Sequence, residues 1–445
     1  MVFHYFLLNL QSDIGENMKK WLLAAVITLL ITPLYGQTAY NEIHNNHLKS
    51  ASNYMAYPGP VQQELTPAPR GYKPFYLSHY GRHGSRYHSK PSTYNAPYLT
   101  LHKADSLGKL TTIGKDIMRR LDVIRHDAEN HWGDLTELGA RQQQDIARRM
   151  FERFPELFQG HAEVDARSTG VGRCVLSMEY ALMQLLRLNP QLTVHLNATH
   201  RDMSYLNLQD KELFNLRKTQ KAKQAFMDFR DKNNDFSHLM RTLFNDSSYV
   251  REHIRPFDFA EQLMLVAAIM QNVELGKKIT LYDVFTPDEA YRIWEVGNAY
   301  WYIGWGASPA TDGKMPYVQR NLLRKIIEQA DSCIQQPTTN VHLRFGHETV
   351  MLPLLCLLDV NGFGLVTDDL AHLDAKGWIN HKAFPMGANV QFVFYRKNDK
   401  DRDPLFKVLL NENEATLPLK SVSGPYYRWS DFRTYYLKKL DAYEN

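Results

Sequence analysis

Hydrophobic residues follow two patterns along the chain. Short apolar runs predict strands, and apolar residues spaced about four apart predict helices. Short apolar runs bounded by polar or glycine residues are typical of strands that pack in a core. Such runs lie at residues 73–81, 162–169, 192–199, 340–348, 389–397 and 405–412. Several lead directly into polar segments, which places polar side chains where the predicted strands end.

Other segments follow the helical period. Leu138, Gln142, Ile146, Met150 and Phe154 recur at spacings of four and predict an amphipathic helix within residues 133–154. Residues 170–188 predict a second helix, for which Ser168 or Thr169 is the expected N-cap.

Between residues 200 and 335 the pattern is helical throughout. The clearest stretches are 210–232, 259–275, 287–305 and 318–334. Strands alternate with helices before this block and strands return after it. The order predicts an α/β fold with an inserted all-helical domain. We expect residues 37–199 and 336–445 to form the α/β domain and residues 200–335 to form the insertion.

The N-terminal region has the pattern of a secretory signal. Met18, Lys19 and Lys20 precede the apolar run of residues 21–36. This run is short for a membrane span and contains Pro33, which favours a cleaved signal over a membrane anchor. We therefore expect residues 1–36 to be a signal peptide that initiates at Met18, and the mature protein to be secreted or periplasmic without a stable membrane anchor.

Charge and cysteine content exclude some classes of protein. A net charge of +4 over 445 residues does not indicate a nucleic-acid partner. The three cysteines allow one disulfide at most, so the fold does not depend on a disulfide framework.

Polar side chains gather at the ends of three predicted strands. The segments are Gly81–Arg86, Arg167–Arg173 and Gly346–Thr349. Ligands of open α/β sheets bind outside the carboxyl ends of the strands, so we expect these segments to face one crevice. Together they supply Arg82, His83, Arg86, Arg173, His347 and Glu348.

This set of side chains suits a phosphoryl group. Three guanidinium groups around one point repel each other unless an anion lies between them, and their planar forks match phosphate oxygens. A neutral imidazole can attack phosphorus and form a phosphohistidine. Glu348 is then the carboxyl group placed to protonate the leaving oxygen.

Four segments in chain order resemble the acid-phosphatase and phytase branch of the histidine phosphatase superfamily. They are RHGSR at 82–86, LTELGARQ at 135–142, RSTGVGRCVLS at 167–177 and GHET at 346–349. The tail FKVLLNENEATLPL at 406–419 is similar to multiple inositol polyphosphate phosphatases. The resemblance spans roughly residues 70–420 and is weak in the helical insertion.

The resemblance implies a central mixed sheet flanked by helices, as in phosphoglycerate mutases, and a phosphomonoesterase that needs no metal or other cofactor. It implies that His83 is the nucleophile and Glu348 the proton donor. Arg82, Arg86, Arg173 and His347 would bind the phosphate. The implied substrates are the small molecules inositol hexakisphosphate and lower inositol polyphosphates.

Two positions depart from the family pattern. His88 stands where proline usually follows the first motif, and we expect it to be a rim or structural residue and not a catalytic one. Glu348 stands where the acid phosphatases have aspartate.

Alternative functions stay open at this point. They are a broad acid phosphatase for sugar phosphates or nucleotides, a mutase-like isomerase, and a non-catalytic phosphate-binding module. The basic run 217–224 is interpreted as a solvated helix face, with contact to outlying phosphates as the alternative.

Overall fold

The computed structural model describes residues 39–336 and 338–444. The predicted signal peptide, residues 1–36, lies outside the described residues. The strands are β1 (Lys73–Arg82), β2 (Glu163–Ser168), β3 (Thr193–Asn197), β4 (Val341–Gly346), β5 (Asn389–Arg396), β6 (Leu405–Leu410), β7 (Asn413–Ala415) and β8 (Tyr427–Arg428).

The first group of helices lies between the N-terminus and the third strand. They are α1 (Ala39–Asn45), α2 (Pro91–Ser106), α3 (Thr112–Asp127), α4 (Glu137–Arg153) and α5 (Gly172–Leu188). The remaining helices are α6 (Met203–Leu206), α7 (Lys211–Leu216), α8 (Gln220–Lys232), α9 (Ser237–Leu243), α10 (Ser247–His253), α11 (Pro256–Ile269), α12 (Pro287–Trp305), α13 (Arg320–Gln335), α14 (Glu348–Leu358), α15 (Asn380–Ala383) and α16 (Trp429–Glu444).

All eight strands belong to one mixed sheet. Seven follow the order β3-β2-β4-β1-β5-β6-β7, and β8 pairs with β6. The β1, β2, β3 and β4 strands run parallel to each other, whereas β5, β6 and β7 continue the sheet with antiparallel pairing. The carboxyl ends of β1, β2 and β4 therefore meet at one edge, as the α/β prediction requires.

Each face of the sheet buries its own apolar core. Alternate side chains of the central strands, such as Leu77, Val164 and Leu343, pack beneath α4 and α5. Tyr76 and Tyr80 point to the opposite face, where they join a larger core that includes the helices of residues 200–335. Burial of apolar area at about 25 cal/mol per Å² is the main favourable contribution of both layers.

The predicted α/β class with a central mixed sheet flanked by helices is confirmed, and the described residues between 200 and 335 contain helices and no named strand. The division into domains at residues 199/200 and 335/336 stays a prediction. The hydrophobic pattern did not indicate α2 and α3. Both pack against the helices of residues 200–335, although they precede those helices in the chain.

The expected cap of α5 is wrong. Val171 occupies the N-cap position, and no side chain caps the helix there, so neither Ser168 nor Thr169 does so. The Ser168 hydroxyl donates instead to the carbonyl oxygen of Thr169. Among the described residues, none of the helices has the length and apolar character that crossing a membrane requires.

Candidate functional site

The three sequence segments singled out for their polar residues meet at the carboxyl ends of β1, β2 and β4. Arg82 ends β1, and the backbone N–H of His83 donates to the carbonyl oxygen of Gly346 at 3.0 Å. The N–H of Thr169, after β2, donates to the carbonyl oxygen of Phe345 at 3.1 Å. Main-chain hydrogen bonds thus continue past the strand ends and fix the loops side by side.

The first motif turns sharply against the start of α4. A Cβ atom on Gly84 would lie 2.4 Å from the carbonyl oxygen of Gly139, and one on Gly139 would lie 2.2 Å from the carbonyl oxygen of Ser85. Only glycine at both positions allows the two backbones to approach this closely. The approach places Gln142 where its side-chain oxygen accepts from the Ser85 N–H at 2.9 Å.

Arg82, His83 and Glu348 form a buried group at the centre of the site. Arg82 Nε lies 3.1 Å from Glu348 Oε2, and His83 Nε2 lies 3.7 Å from the same oxygen. His83 Nδ1 lies 2.9 Å from the carbonyl oxygen of Gly84. A proton on Nδ1 satisfies that contact and leaves the Nε2 lone pair directed into the site.

Arg82 is held from behind by the backbone. Its Nη1 donates to the carbonyl oxygens of Asn53, at 2.5 Å, and Phe384, at 2.8 Å. Its Nη2 is buried and has no hydrogen-bond partner among the described residues. One edge of the guanidinium is therefore fixed, and the other edge is left to face a ligand.

Arg86 and Arg173 add two more cations. Arg86 donates through Nη1 to the carbonyl oxygen of Tyr87 at 2.8 Å and lies over the ring of Tyr54, 5.6 Å from its centroid. Arg173 stands in the first turn of α5 and is half-buried. Within the described part of the chain, the buried Nε atoms of both side chains have no hydrogen-bond partner.

His347 lies beside the nucleophile candidate at the N-cap of α14. Its ring centroid is 5.9 Å from that of His83, and its Nε2 is 3.2 Å from the Thr169 hydroxyl. The Tyr80 hydroxyl accepts from the His347 backbone N–H at 3.3 Å. Glu348 follows as the first residue of α14. The positive end of the helix dipole therefore also faces the site.

Burial and like charges shift the pKa values of these groups. Burial lowers the pKa of His83 well below 6.5, and it lowers the pKa of His347 to about 4, so both imidazoles are neutral at physiological pH. Burial lowers the pKa of Arg82 to about 10, and the charges of Arg86 and Arg173 act in the same direction. Three cations within electrostatic reach of one another favour an anion between them.

The pKa of Glu348 moves the other way from that of an ordinary buried acid. Burial raises its pKa, but the charge of Arg82 and, to a lesser extent, the charge of Arg86 hold it well below 4.5. The side chain keeps 14% of its surface exposed. Glu348 is thus ionised in the ligand-free site because Arg82 is beside it.

The site also contains atoms of the kind that bind metals. Ligand atoms of His83, His347 and Glu348 lie within 4.8 Å of one another. A divalent cation there would compete with Arg82 for Glu348 and would be repelled by the neighbouring guanidinium groups. Electrostatics therefore make this position better suited to an anion than to a metal ion.

The structure brings together all six residues named from the sequence, and it supports the structural rather than the rim interpretation of His88. That side chain is buried rather than on the rim, with Nε2 2.8 Å from the carbonyl oxygen of Leu265 and its ring against Tyr54 and Tyr94. Burial lowers its pKa to about 3. His88 therefore connects the segment after the first motif to α11 through a hydrogen bond with the Leu265 carbonyl oxygen.

The basic run 217–224 makes its contacts elsewhere. Arg217 packs 4.2 Å over the ring of Trp305, and Lys221 pairs with Asp312 at 2.9 Å. Within the described residues, no hydrogen bond or ion pair joins this run to the six site residues. Its contact with outlying phosphates stays a prediction.

Sequence analysis missed the supports contributed by distant segments. The carbonyl of Asn53 and the ring of Tyr54 hold Arg82 and Arg86, and the Ser85 hydroxyl donates to Asn272 Oδ1 at 2.6 Å. A backbone carbonyl carries no side-chain signal, so Asn53 could not be found this way. Gln142 had a signal in the sequence, because it is the one polar residue among the five positions whose spacing predicts α4.

Comparison with known proteins agrees with this geometry. The sequence model of the histidine phosphatase superfamily (branch 2) matches residues 81–411. No curated protein matches the chain.

Solved structures share the fold at low sequence identity. The Bifidobacterium longum multiple inositol polyphosphate phosphatase in complex with phosphate superposes with a TM-score of 0.77 at 18% identity, covering 88% of this chain and 98% of that one. Its complex with inositol hexasulfate gives 0.74 at 18% identity, with coverage of 86% and 97%. The phytase from D. castellii gives 0.63 at 17% identity, with coverage of 88% and 84%.

Proposed function

Because the chain belongs to branch 2 of the histidine phosphatase superfamily, we propose that this phosphatase removes phosphate from inositol hexakisphosphate and lower inositol polyphosphates. The observation that carries the proposal is a set of buried guanidinium N–H groups that have no hydrogen-bond partner within the described part of the chain, on Arg82, Arg86 and Arg173. Buried donors left unpaired are costly, and a phosphoryl group supplies the oxygen acceptors that they lack.

His83 is the proposed nucleophile. Its neutral ring presents Nε2 to the site while Nδ1 is held at the Gly84 carbonyl. Nε2 forms a bond to phosphorus as the bond from phosphorus to the ester oxygen breaks, which gives a phosphohistidine and an alcohol. A water molecule then attacks phosphorus, and the phosphate product leaves with the imidazole restored.

The arginines stabilise the charge that develops on the phosphoryl oxygens. Arg82 is fixed on one edge by two backbone carbonyls, so it needs little reorganisation during the reaction. His347, next to His83, is proposed as a further contact to the phosphate. The guanidinium groups supply the positive charge that a metal ion supplies in many other phosphatases.

Glu348 is proposed to give a proton to the departing alkoxide. In the free site its pKa is held low by the charge of Arg82, against the effect of burial. A bound phosphate dianion competes for Arg82 and repels the carboxylate, so binding raises the pKa of Glu348 and favours its protonated form. Substrate binding itself would thus prepare the acid.

The substrate class rests on similarity in fold. Two of the similar structures described above are complexes with inositol hexasulfate and with phosphate, and a third is a phytase. In this chain, the guanidinium groups of Arg82, Arg86 and Arg173 fit a doubly charged phosphate monoester. The polyphosphorylated ring is the part of the proposal that requires direct measurement.

Phosphate release by the purified protein tests the proposal. We expect kcat/KM for inositol hexakisphosphate to exceed that for glucose 6-phosphate by at least about tenfold, which is about 1.4 kcal/mol of transition-state discrimination. Equal values would indicate a broad acid phosphatase. Tight binding of inositol hexakisphosphate without phosphate release would indicate a binding module, and phosphate exchange without net release would indicate a mutase.

We also propose that the protein is exported. The basic and apolar pattern of residues 18–36 supports this, and those residues lie outside the described part of the chain. N-terminal sequencing of the protein recovered outside the cytoplasm tests it. A chain that starts near Gln37 is the expected result, and a retained apolar segment in a membrane fraction would contradict it.

A further inference from the structure

A second polar cleft lies on the helical face of the sheet, separate from the phosphate site. It has a volume of about 520 Å³, and its walls come from β2, from the segment that contains α6, and from α13. None of the six residues of the phosphate site lines it. The residues that line it with charged groups are Asp165, Arg167, Arg201, Asp202, Arg324, Lys325 and Glu328.

Cations and hydrogen-bonding groups are mixed in this cleft. Arg167 Nε lies 2.7 Å from Asp165 Oδ1, while its Nη1 is only loosely paired with Asp202 at 4.0 Å. Lys325 is 3.6 Å from Glu328. Ion pairs at these longer separations are weak in water, so their members keep hydrogen-bonding capacity for a ligand.

One further cation lies behind the wall of the cleft. Arg344 on β4 is 1% exposed and donates to the Ser78 hydroxyl at 2.9 Å, to the His79 carbonyl oxygen at 3.1 Å, and to Gln329 Oε1. Within the described residues it has no carboxylate within 4.0 Å. Gln329 also lines the cleft, so it separates this buried charge from the solvent in the cleft.

The balance of charge therefore favours an anion. Arg324 pairs at 2.8 Å with Asp441, which does not line the cleft, so with Arg344 included the remaining four cationic side chains stand against three carboxylates. A buried cation without a counter-ion raises the potential of the nearby cavity, because the low-dielectric interior screens it poorly. A simple inorganic anion would leave most of the volume and all three carboxylates unused.

We propose that this cleft binds a phosphorylated polyol at a site distinct from the phosphate site. Arg167, Arg201 and Lys325 would contact the phosphoryl group. The carboxylates of Asp165, Asp202 and Glu328 would accept hydrogen bonds from hydroxyl groups, which an anion without hydroxyls cannot donate. Tyr205 provides an aromatic surface beside the polyol ring.

Equilibrium dialysis of the full-length His83→Ala protein with labelled myo-inositol 1-phosphate tests the site, because this variant cannot turn the probe over. We expect two equivalents to bind. Adding Arg201→Glu and Lys325→Glu, both on exposed or partly exposed side chains, should reduce the count to one. In an otherwise unchanged chain, this pair of substitutions should leave kcat/KM within about twofold.

The matched control is Lys115→Glu with Arg119→Glu. It makes the same change of charge on exposed, ion-paired side chains of α3, and two equivalents should still bind. Inorganic phosphate should bind the cleft at least about tenfold more weakly, since it lacks the hydroxyl contacts. A count that Arg201→Glu/Lys325→Glu leaves unchanged in the His83→Ala protein, or equal affinity of the cleft for inorganic phosphate, would overturn the proposal, whereas a count that falls from one to zero would support the cleft and contradict binding at the phosphate site.

Discussion

Glu348 Oε2 lies 3.1 Å from Arg82 Nε, so the proposed proton donor is ion-paired with a proposed phosphate-binding group. The pair has a clear electrostatic consequence. Burial alone would raise the pKa of Glu348, yet the charge of Arg82 holds it well below 4.5. The carboxyl group is therefore a poor acid until an anionic substrate competes for Arg82. Substrate binding and proton donation are thus connected through one guanidinium group.

Replacing Glu348 with glutamine tests its role as a proton donor. Glutamine keeps the size of the side chain but cannot donate a carboxyl proton. We expect kcat for inositol hexakisphosphate to fall about 10²- to 10⁴-fold, the usual contribution of general acid catalysis. The measurement is steady-state phosphate release.

An ester with a better leaving group provides the control for this variant. The phenolate of p-nitrophenyl phosphate departs without full protonation, so its kcat should fall by less than about tenfold in Glu348→Gln. Equal losses for both substrates would assign Glu348 to substrate binding instead of proton transfer.

The pH dependence of kcat/KM follows from two lowered pKa values. Burial keeps His83 neutral well below pH 6.5, so the nucleophile should remain competent as the solution becomes acidic. Glu348 has a lowered pKa in the free enzyme, so its protonated fraction rises as pH falls. We expect kcat/KM to increase from pH 8 towards pH 5.

Initial rates at constant ionic strength between pH 4 and pH 8, with the fold monitored by circular dichroism, provide the measurement. A decline on the acid side with a midpoint near 6.5 would show that His83 has an ordinary imidazole pKa, contrary to its burial. In Glu348→Gln, kcat/KM should no longer increase from pH 8 towards pH 5, because glutamine has no carboxyl proton.

Arg173→Ala tests the phosphate clamp. Among the described residues, Arg173 Nε has no hydrogen-bond partner, and burial and the charge of Arg86 lower the pKa of this side chain. Hydrogen bonds to charged groups contribute about 1.5–3 kcal/mol, so kcat/KM should fall about 10- to 100-fold. Arg119→Ala, at an exposed position on α3, is the control and should have no effect. An unaffected kcat/KM in Arg173→Ala would remove this residue from the proposed site.

The six site residues could be predicted from the sequence because each stands in a local motif at a strand end. Parallel strands share one edge for their carboxyl ends, so three distant motifs had to meet once the strands were recognised. The depressed pKa of Glu348 was not predictable, since it depends on the 3.1 Å contact with Arg82.

Other features were missed for definite physical reasons. The supports of Arg82 are backbone carbonyls of Asn53 and Phe384, which any residue type could supply. The sequence left rim and structural roles open for His88, because its buried partner, the Leu265 carbonyl, lies 177 positions away. Helix α2 has a weakly patterned sequence that includes Pro97, so neither period indicates it clearly.

Reducing agents should leave the stability of the protein unchanged. Cys174, Cys333 and Cys356 are all free and buried, and burial raises the pKa of Cys174 and of Cys333 to about 11. We expect no thiol to react with Ellman's reagent in the native protein at pH 8, and three to react after denaturation. A Tm that falls on addition of dithiothreitol would indicate a disulfide and contradict the structure.

Gly84→Ala should damage both stability and activity, because the first motif turns directly against α4. The new Cβ would lie 2.4 Å from the carbonyl oxygen of Gly139 and 2.7 Å from two more backbone atoms of that residue, which cannot move aside as a flexible side chain can. Overpacking of this kind costs about 1–3 kcal/mol, and the shift of the turn would displace His83. We expect a lower Tm together with a large loss of kcat.

Gly297→Ala in α12 is the matched control, since its Cβ would meet no atom within 4 Å and alanine favours a helix. If Gly84→Ala behaved like Gly297→Ala, the close approach that holds the nucleophile in place would be wrong.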